Sequence, residues 1–148
     1  MAFRNPEAFA LGDVGGGAPD ALLRAALVLE GEIKRLLLTP GRGRIYKRGK
    51  KGTHQASAPG DPPAPDVGNL LRSITHEVVS PTTVRVGTNV EYAEPLEFGT
   101  VTAGRGRRTV ILPRPFMRPA MAAVEPMMTE AVETTLRRST FGRGRSKS

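Results

Sequence analysis

Pro and Gly crowd residues 39–66 so densely that no regular helix can run through them, and this block divides what the chain can fold into. Ahead of it, Leu22, Ala26, Leu29, Ile33 and Leu36 recur at spacings of four and three, one stripe of an amphipathic helix, with Arg24, Glu32 and Arg35 off the stripe. Pro19 and Asp20 suit a first helical turn, and Thr39-Pro40-Gly41 stops the helix. Beyond the block, Asp66 or Asn69 is placed to cap a short turn through Leu70 and Leu71. Two β-rich runs follow, Ile74, Glu77 and Val79, then Val84, Arg85 and Val86, joined by Ser80-Pro81-Thr82 as a hairpin.

Residues 91–98 predict a short helix closed by Gly99, and Thr109–Leu112 a short strand. A last helix opens after Pro115 with a stripe that includes Met121, Val124, Met128, Val132 and Leu136; Pro126 must kink or restart it. The expected fold is α+β: two long helices packed on one face of a small, mainly antiparallel sheet, with a long Pro/Gly-rich loop and flexible termini. One domain over 19–138 is expected, preceded by a flexible arm (1–18) and followed by a basic disordered tail (139–148). Within the 39–66 loop, the first half is basic and the second, Ala58 to Pro65, reads as extended and polyproline-like. Residues 41–56, with both termini, are expected to be mobile in the free subunit and to order on assembly.

The net charge is +8, and 16 of the 22 Lys and Arg fall in 42–51, 105–118 and 137–147, which hold no Asp or Glu. Basic blocks without counter-charges point to an anionic partner, nucleic acid or an acidic protein face. The candidate contacts are Arg42, Arg44, Lys47, Arg48, Lys50, Lys51, Arg105, Arg107, Arg108, Arg143 and Arg145. Gly-Arg-Gly-Arg occurs at 41–44, 104–107 and 142–145, a pattern of flexible phosphate-reaching tails, although only Tyr46 and Phe141 lie beside it for stacking.

Catalysis finds little support. There is no Cys, hence no disulfide or thiolate chemistry, which fits a reducing compartment. His54 is read as a loop contact and His76 as a strand-surface residue. Glu91, Glu94 and Glu97 would share one helix face and pair with Arg105, Arg107 and Arg108 rather than bind metal. No nucleotide-binding glycine loop is present. We therefore expect no enzyme activity, catalytic residue, cofactor or metal. No apolar run is long enough to span a bilayer, and the N-terminus does not read as a signal peptide, so a protein made in a cytoplasm, without a membrane partner, is expected.

Three ordered segments carry a family resemblance. His54-Gln55-Ala56-Ser57-Ala58-Pro59-Gly60-Asp61-Pro62-Pro63-Ala64 leads to Gly68-Asn69-Leu70 and Ser73-Ile74. Val86-Gly87-Thr88 precedes Tyr92-Ala93-Glu94-Pro95-Leu96-Glu97-Phe98-Gly99-Thr100, and Arg114-Pro115-Phe116-Met117-Arg118-Pro119-Ala120 opens the last helix. Together, over about 20–138, they resemble the gene-product-ten-like head–tail joining proteins of long-tailed bacteriophages, also called tail-completion, neck or minor tail-component proteins. Val67 stands where that family commonly has a Thr before the Gly.

The resemblance implies a non-enzymatic virion protein of the neck, assembled in the host cytoplasm. It implies a homo-oligomeric ring, a hexamer or a dodecamer, between the head connector or stopper and the tail-terminator or tail-tube proteins, around the channel DNA. Expected subunit and partner contacts are His54, Pro59, Pro62, Pro63, Tyr92, Glu94, Glu97, Phe98, Phe116 and Met117. Tyr92 and Phe98 lie too far apart on a short helix for both to enter one small core, and the adjacent Phe116 and Met117 should diverge. Met117 or Met127 should stay exposed. The alternatives are a nucleic-acid-binding accessory protein using Gly-Arg-rich arms and a small hydrolase using Glu94.

Overall fold

The computed structural model describes residues 9–10, 19–65 and 68–142; Arg143, Arg145 and most of the N-terminal arm lie outside them. Helix α1 (Pro19–Leu37) starts on its proline, carries Asp20 in the first turn and Lys34 and Arg35 in the last, matching the sign of the helix dipole at both ends. Its apolar stripe is buried at Leu22, Ala26, Leu29 and Ile33, and the next core position is Leu37, with Leu36 only partly covered. A helical period of 3.6 carries the buried face round to Leu37 after four turns. Each fully buried Leu or Ile stabilises by about 1.5–3 kcal/mol relative to exposure.

The chain folds as α+β with small antiparallel sheets. Strands β4 (Thr75–Ser80) and β5 (Thr83–Gly87) form the expected hairpin, turning at Pro81–Thr82, with His76 opposite Val86 and Val78 opposite Val84. Val84 and Val86 alternate into the core. The other edge of β5 is taken by β1 (Phe9–Ala10), Phe9 opposite Val86. That strand corrects the expectation of a wholly flexible arm: β5 would otherwise expose an unpaired edge.

Helix α1 is the common neighbour, packing on β4 and β5 and against α4 (Met117–Gly142). Ala120, Val124 and Met128 supply the buried line of α4, with Phe116 buried just ahead of its first turn, while Met121 is partly covered and Met127 is exposed. From Thr129 onward no described side chain of α4 is buried. The helix runs through Pro126 without restarting; Pro126 and Ala122, whose carbonyl the proline leaves unpaired, are both on exposed positions. It also continues to Gly142, so residues 139–142 are helical and not part of a tail.

Two short helices close the body. In α2 (Asn69–Ser73) the capping position is Gly68, with no side-chain cap, and Asn69 instead accepts from Arg72 at 2.9 Å. Helix α3 (Ala93–Phe98) ends at Gly99, whose φ of 75° is a conformation that favours glycine.

The 39–66 segment is not a structureless loop. Strands β2 (Ile45–Lys47) and β3 (Thr53–Gln55) pair antiparallel, Tyr46 opposite His54, through a 3-10 turn at Gly49–Lys51. The ladder continues at the base, where Gly43 N–H donates to Ala56 O at 2.7 Å and Ala56 N–H to Arg44 O at 3.0 Å. Gly41 and Gly43 are packing residues here: a Cβ on Gly41 would collide with the Gln55 and Ala56 carbonyls, and one on Gly43 would lie 2.6 Å from Ser57 O. The Pro-rich half is anchored as well, with Gly60 N–H on Pro113 O at 2.9 Å and Pro63 buried.

Candidate functional site

Most of the basic candidates fall on two separate two-stranded ribbons. The first is β2–β3, with Arg44, Lys47 and Lys50 exposed and Arg44 over the Tyr46 ring at 5.5 Å. Arg42 reaches Asp61 at 4.0 Å, and the main-chain N–H of Arg48 donates to Gly52 O at 2.8 Å, closing the tip. The second ribbon joins β6 (Thr100–Ala103) to β7 (Thr109–Ile111). Its tip, Gly104 to Arg108, exposes Arg105, Arg107 and Arg108, and Arg107 takes a φ of 49°, uncommon for a residue with a side chain.

Both ribbons present apolar side chains to solvent. Ile45 is 61% exposed, Val101 69% and Val110 60%, with Tyr46 and Leu112 also exposed. An isolated two-stranded ribbon is marginal in water, and apolar residues on a solvated ribbon contribute nothing until something covers them.

The glutamate row does not exist as such. Helix α3 begins at Ala93, so Glu91 precedes it, and Glu94 is exposed. Glu97 is 4% exposed, and its carboxylate is used inside the fold, correcting both its pairing with Arg105, Arg107 or Arg108 and its place among surface contacts. Its Oε2 accepts from the main-chain N–H groups of Phe116 at 2.7 Å and Met117 at 2.9 Å. Its Oε1 accepts from Arg118 N–H at 3.0 Å and from Arg118 Nε at 3.3 Å. The first N–H groups of any helix lack partners within it, and an anion there also meets the positive dipole end. Glu97 is thus the cap of α4, supplied from α3.

Phe116 points into the core at 1% exposure, so it is no contact residue, and Met117 is partly buried against the same cluster. Tyr92 and Phe98 are both exposed; Arg118 lies over the Phe98 ring at 4.9 Å. Pro59 is exposed, and Pro62 is half-buried. His54, Pro63 and Tyr92 come together around one cleft with Arg114. His76, read as a strand-surface residue, faces α1: its Nδ1 is 2.7 Å from Glu30 Oε2. Burial raises the Glu30 pKa, but hydrogen bonds and charge from His76 and Lys34 more than offset this and hold it below the ordinary value.

The two Gly-Arg-Gly-Arg copies that lie within the described residues therefore differ in kind. In 41–44 the glycines admit close backbone packing, 104–107 is an open ribbon tip, and 142–145 begins at the end of α4. Among the described residues no group of three His, Asp or Glu side chains is placed to hold a metal ion, and no helix is long and apolar enough to cross a membrane. Comparison with protein-family models, with curated proteins and with solved structures returned no match.

The short strand expected at Thr109–Leu112 is β7, whereas sequence reasoning missed the first ribbon, β6, the Glu97 cap and the exposed apolar residues Ile45, Val101 and Val110. The available signal for the first ribbon was Ile45-Tyr46-Lys47 and Thr53-His54-Gln55 flanking Gly49 and Gly52.

Proposed function

We propose that this chain is a structural subunit of the neck of a long-tailed bacteriophage, in which copies form a ring that joins the DNA-filled head to the tail. The observation that carries this reading is the pair of basic-tipped ribbons with uncovered Ile45, Val101 and Val110, standing on a small core. A ring needs heterologous contacts that close into a cycle, and projecting ribbons that lace neighbouring subunits supply them. The ordered segments that resemble the head–tail joining family support the same assignment. The role is one of assembly and not of catalysis, and the chain acts in the virion.

The contact set shifts with the geometry. Tyr92, Phe98, Glu94 and the ribbon residues remain as contacts, while Glu97 and Phe116 serve the interior. Changing Val101 and Val110 together to Asp should leave a folded monomer that forms no ring in solution, measured by sedimentation, and fails to join heads to tails in a complementation assay. Normal particles from that double variant would end this reading.

A second reading rests on the ribbon tips: exposed Arg105, Arg107 and Arg108 with no carboxylate in 104–108 suit a phosphate backbone. A nucleic-acid-binding accessory protein would use the same residues without a ring.

A further inference from the structure

Helix α4 outruns the body it packs on. From Thr129 to Gly142 none of its described side chains is buried, and Met127 is exposed where the packed part ends. A helix draws most of its stability from burying one face, and a free segment of this length is marginal in water. Met127, Glu130 and Glu133 follow one another at spacings of three, so they are neighbours on the uncovered surface, and all are exposed.

The exposed carboxylates are unevenly placed. Among the described residues they are Asp20, Glu91 and Glu94, and then Glu125, Glu130 and Glu133 on α4. Asp20 belongs to the first turn of α1, and Glu91 and Glu94 lie at the start of α3. The second ribbon is the complementary surface. Arg105, Arg107 and Arg108 are exposed at its tip, 104–108 holds no carboxylate, and Val101 and Val110 stand uncovered behind it. The first ribbon is less free, since Arg42 reaches Asp61 and Arg44 lies over Tyr46. Within one subunit the second ribbon does not cover the helix: Val101, Val110, Met127 and Glu130 are all exposed in the same fold, and β6 packs against α3.

We propose that the second ribbon of one copy docks on the C-terminal half of α4 of the next copy. Val101 and Val110 cover Met127, and the Arg105–Arg108 tip faces Glu130 and Glu133. The proposal rests on the neck reading, which supplies the neighbouring copy. The dimensions agree. An extended strand covers about 13 Å from Val101 to Arg105, and a helix rises about 9 Å from Met127 to Glu133, a difference that long Arg and Glu side chains bridge. The opposite charges fix which way the ribbon lies along the helix. Two different patches of one chain make a heterologous contact, the kind that repeats head to tail and closes into a ring.

The test is a charge exchange in the full chain, read by sedimentation. One variant carries Arg105→Glu, Arg107→Glu and Arg108→Glu, and the other carries Glu130→Arg and Glu133→Arg. All five positions are exposed, so both variants should keep the circular dichroism of the parent. The parent is expected to associate, and each variant alone to do so at least about tenfold more weakly, because like charges then meet across the contact. An equal mixture of the two should restore association, since each acidic ribbon finds a basic helix and each basic ribbon an acidic one. Both sets of changes in a single chain should restore it as well. Undiminished association of either variant alone, or a mixture that stays apart, overturns the proposal; a parent that still forms a ring then leaves the neck reading standing. Restoration by exchange in an assembly that stops at a dimer upholds the contact and removes the ring. A parent that stays monomeric at every concentration overturns both.

Discussion

The buried carboxylate of Glu97 meets the main-chain N–H of Phe116 at 2.7 Å, so a residue near the end of α3 caps the start of α4. Glu97→Ala would leave the N–H groups of Phe116, Met117 and Arg118 without that acceptor at a partly buried helix start. We expect a loss of about 3 kcal/mol in urea unfolding, and about 1–2 kcal/mol for Glu97→Gln, which keeps one acceptor oxygen. A loss under about 0.5 kcal/mol for the alanine variant, the range of ordinary surface changes, would show that the cap does not matter.

Glu30 gives a prediction in pH. Its pKa is lowered in the fold from the ordinary 4.5 through its partners His76 and Lys34. A lowered carboxylate pKa contributes stability that is present above pH 4.5 and is lost as pH falls through the folded value. Glu30→Gln should therefore be less stable than the parent near neutral pH, and the gap should close in acid. A gap that stays constant across that window would remove the ion pair as its source.

Gly41→Ala and Gly43→Ala should loosen the first ribbon, because each Cβ would press on the facing carbonyls. Amide exchange at Gly43 and Ala56, whose N–H groups are paired across the ribbon base, should accelerate in both variants. Gly106→Ala is the control: nothing lies within 4 Å of its Cβ position. An equal effect of all three would mean that the close approach at the ribbon base is not the cause.

If the second ribbon touches DNA, duplex binding should fall with salt at a log–log slope of about −0.9 per neutralised phosphate. Replacing Arg105, Arg107 and Arg108 by Gln should flatten that slope by up to three such steps. A flat profile in the parent would assign these tips to an acidic protein surface.

What the sequence made legible was local and periodic. The α1 stripe, the β4–β5 hairpin and the Gly99 stop each follow from residues within one or two turns of each other. The drift from Leu36 to Leu37 is the price of counting in threes and fours along a helix that repeats every 3.6 residues. Of the ribbons only β7 was legible, as the strand at Thr109–Leu112; β2, β3 and β6 escaped notice because they show no clean apolar–polar alternation, with Ile45 and Val101 exposed. Glu97 read as one of three surface carboxylates because its partners lie 19 to 21 residues further on. His76 likewise needed Glu30, 46 residues away, to be read as an inward-facing residue. Of the candidate site, the basic tips were visible as composition, whereas the cleft around Arg114 required four separate segments to converge.

The Glu97–Phe116 contact, with Arg114 N–H on Leu96 O and Gly60 N–H on Pro113 O, also makes residues 98–112 a detour closed at its base. The chain leaves the body after Glu97, runs out along β6, returns along β7 and re-enters at Phe116 beside the point of departure. With the base held shut by these contacts, the length of the detour is nearly invisible to the rest of the fold, since doubling a loop costs only about 0.6 kcal/mol. The second ribbon is thus an exchangeable fitting, free to be lengthened, recharged or replaced to suit a different neighbour while the scaffold that carries it stays the same.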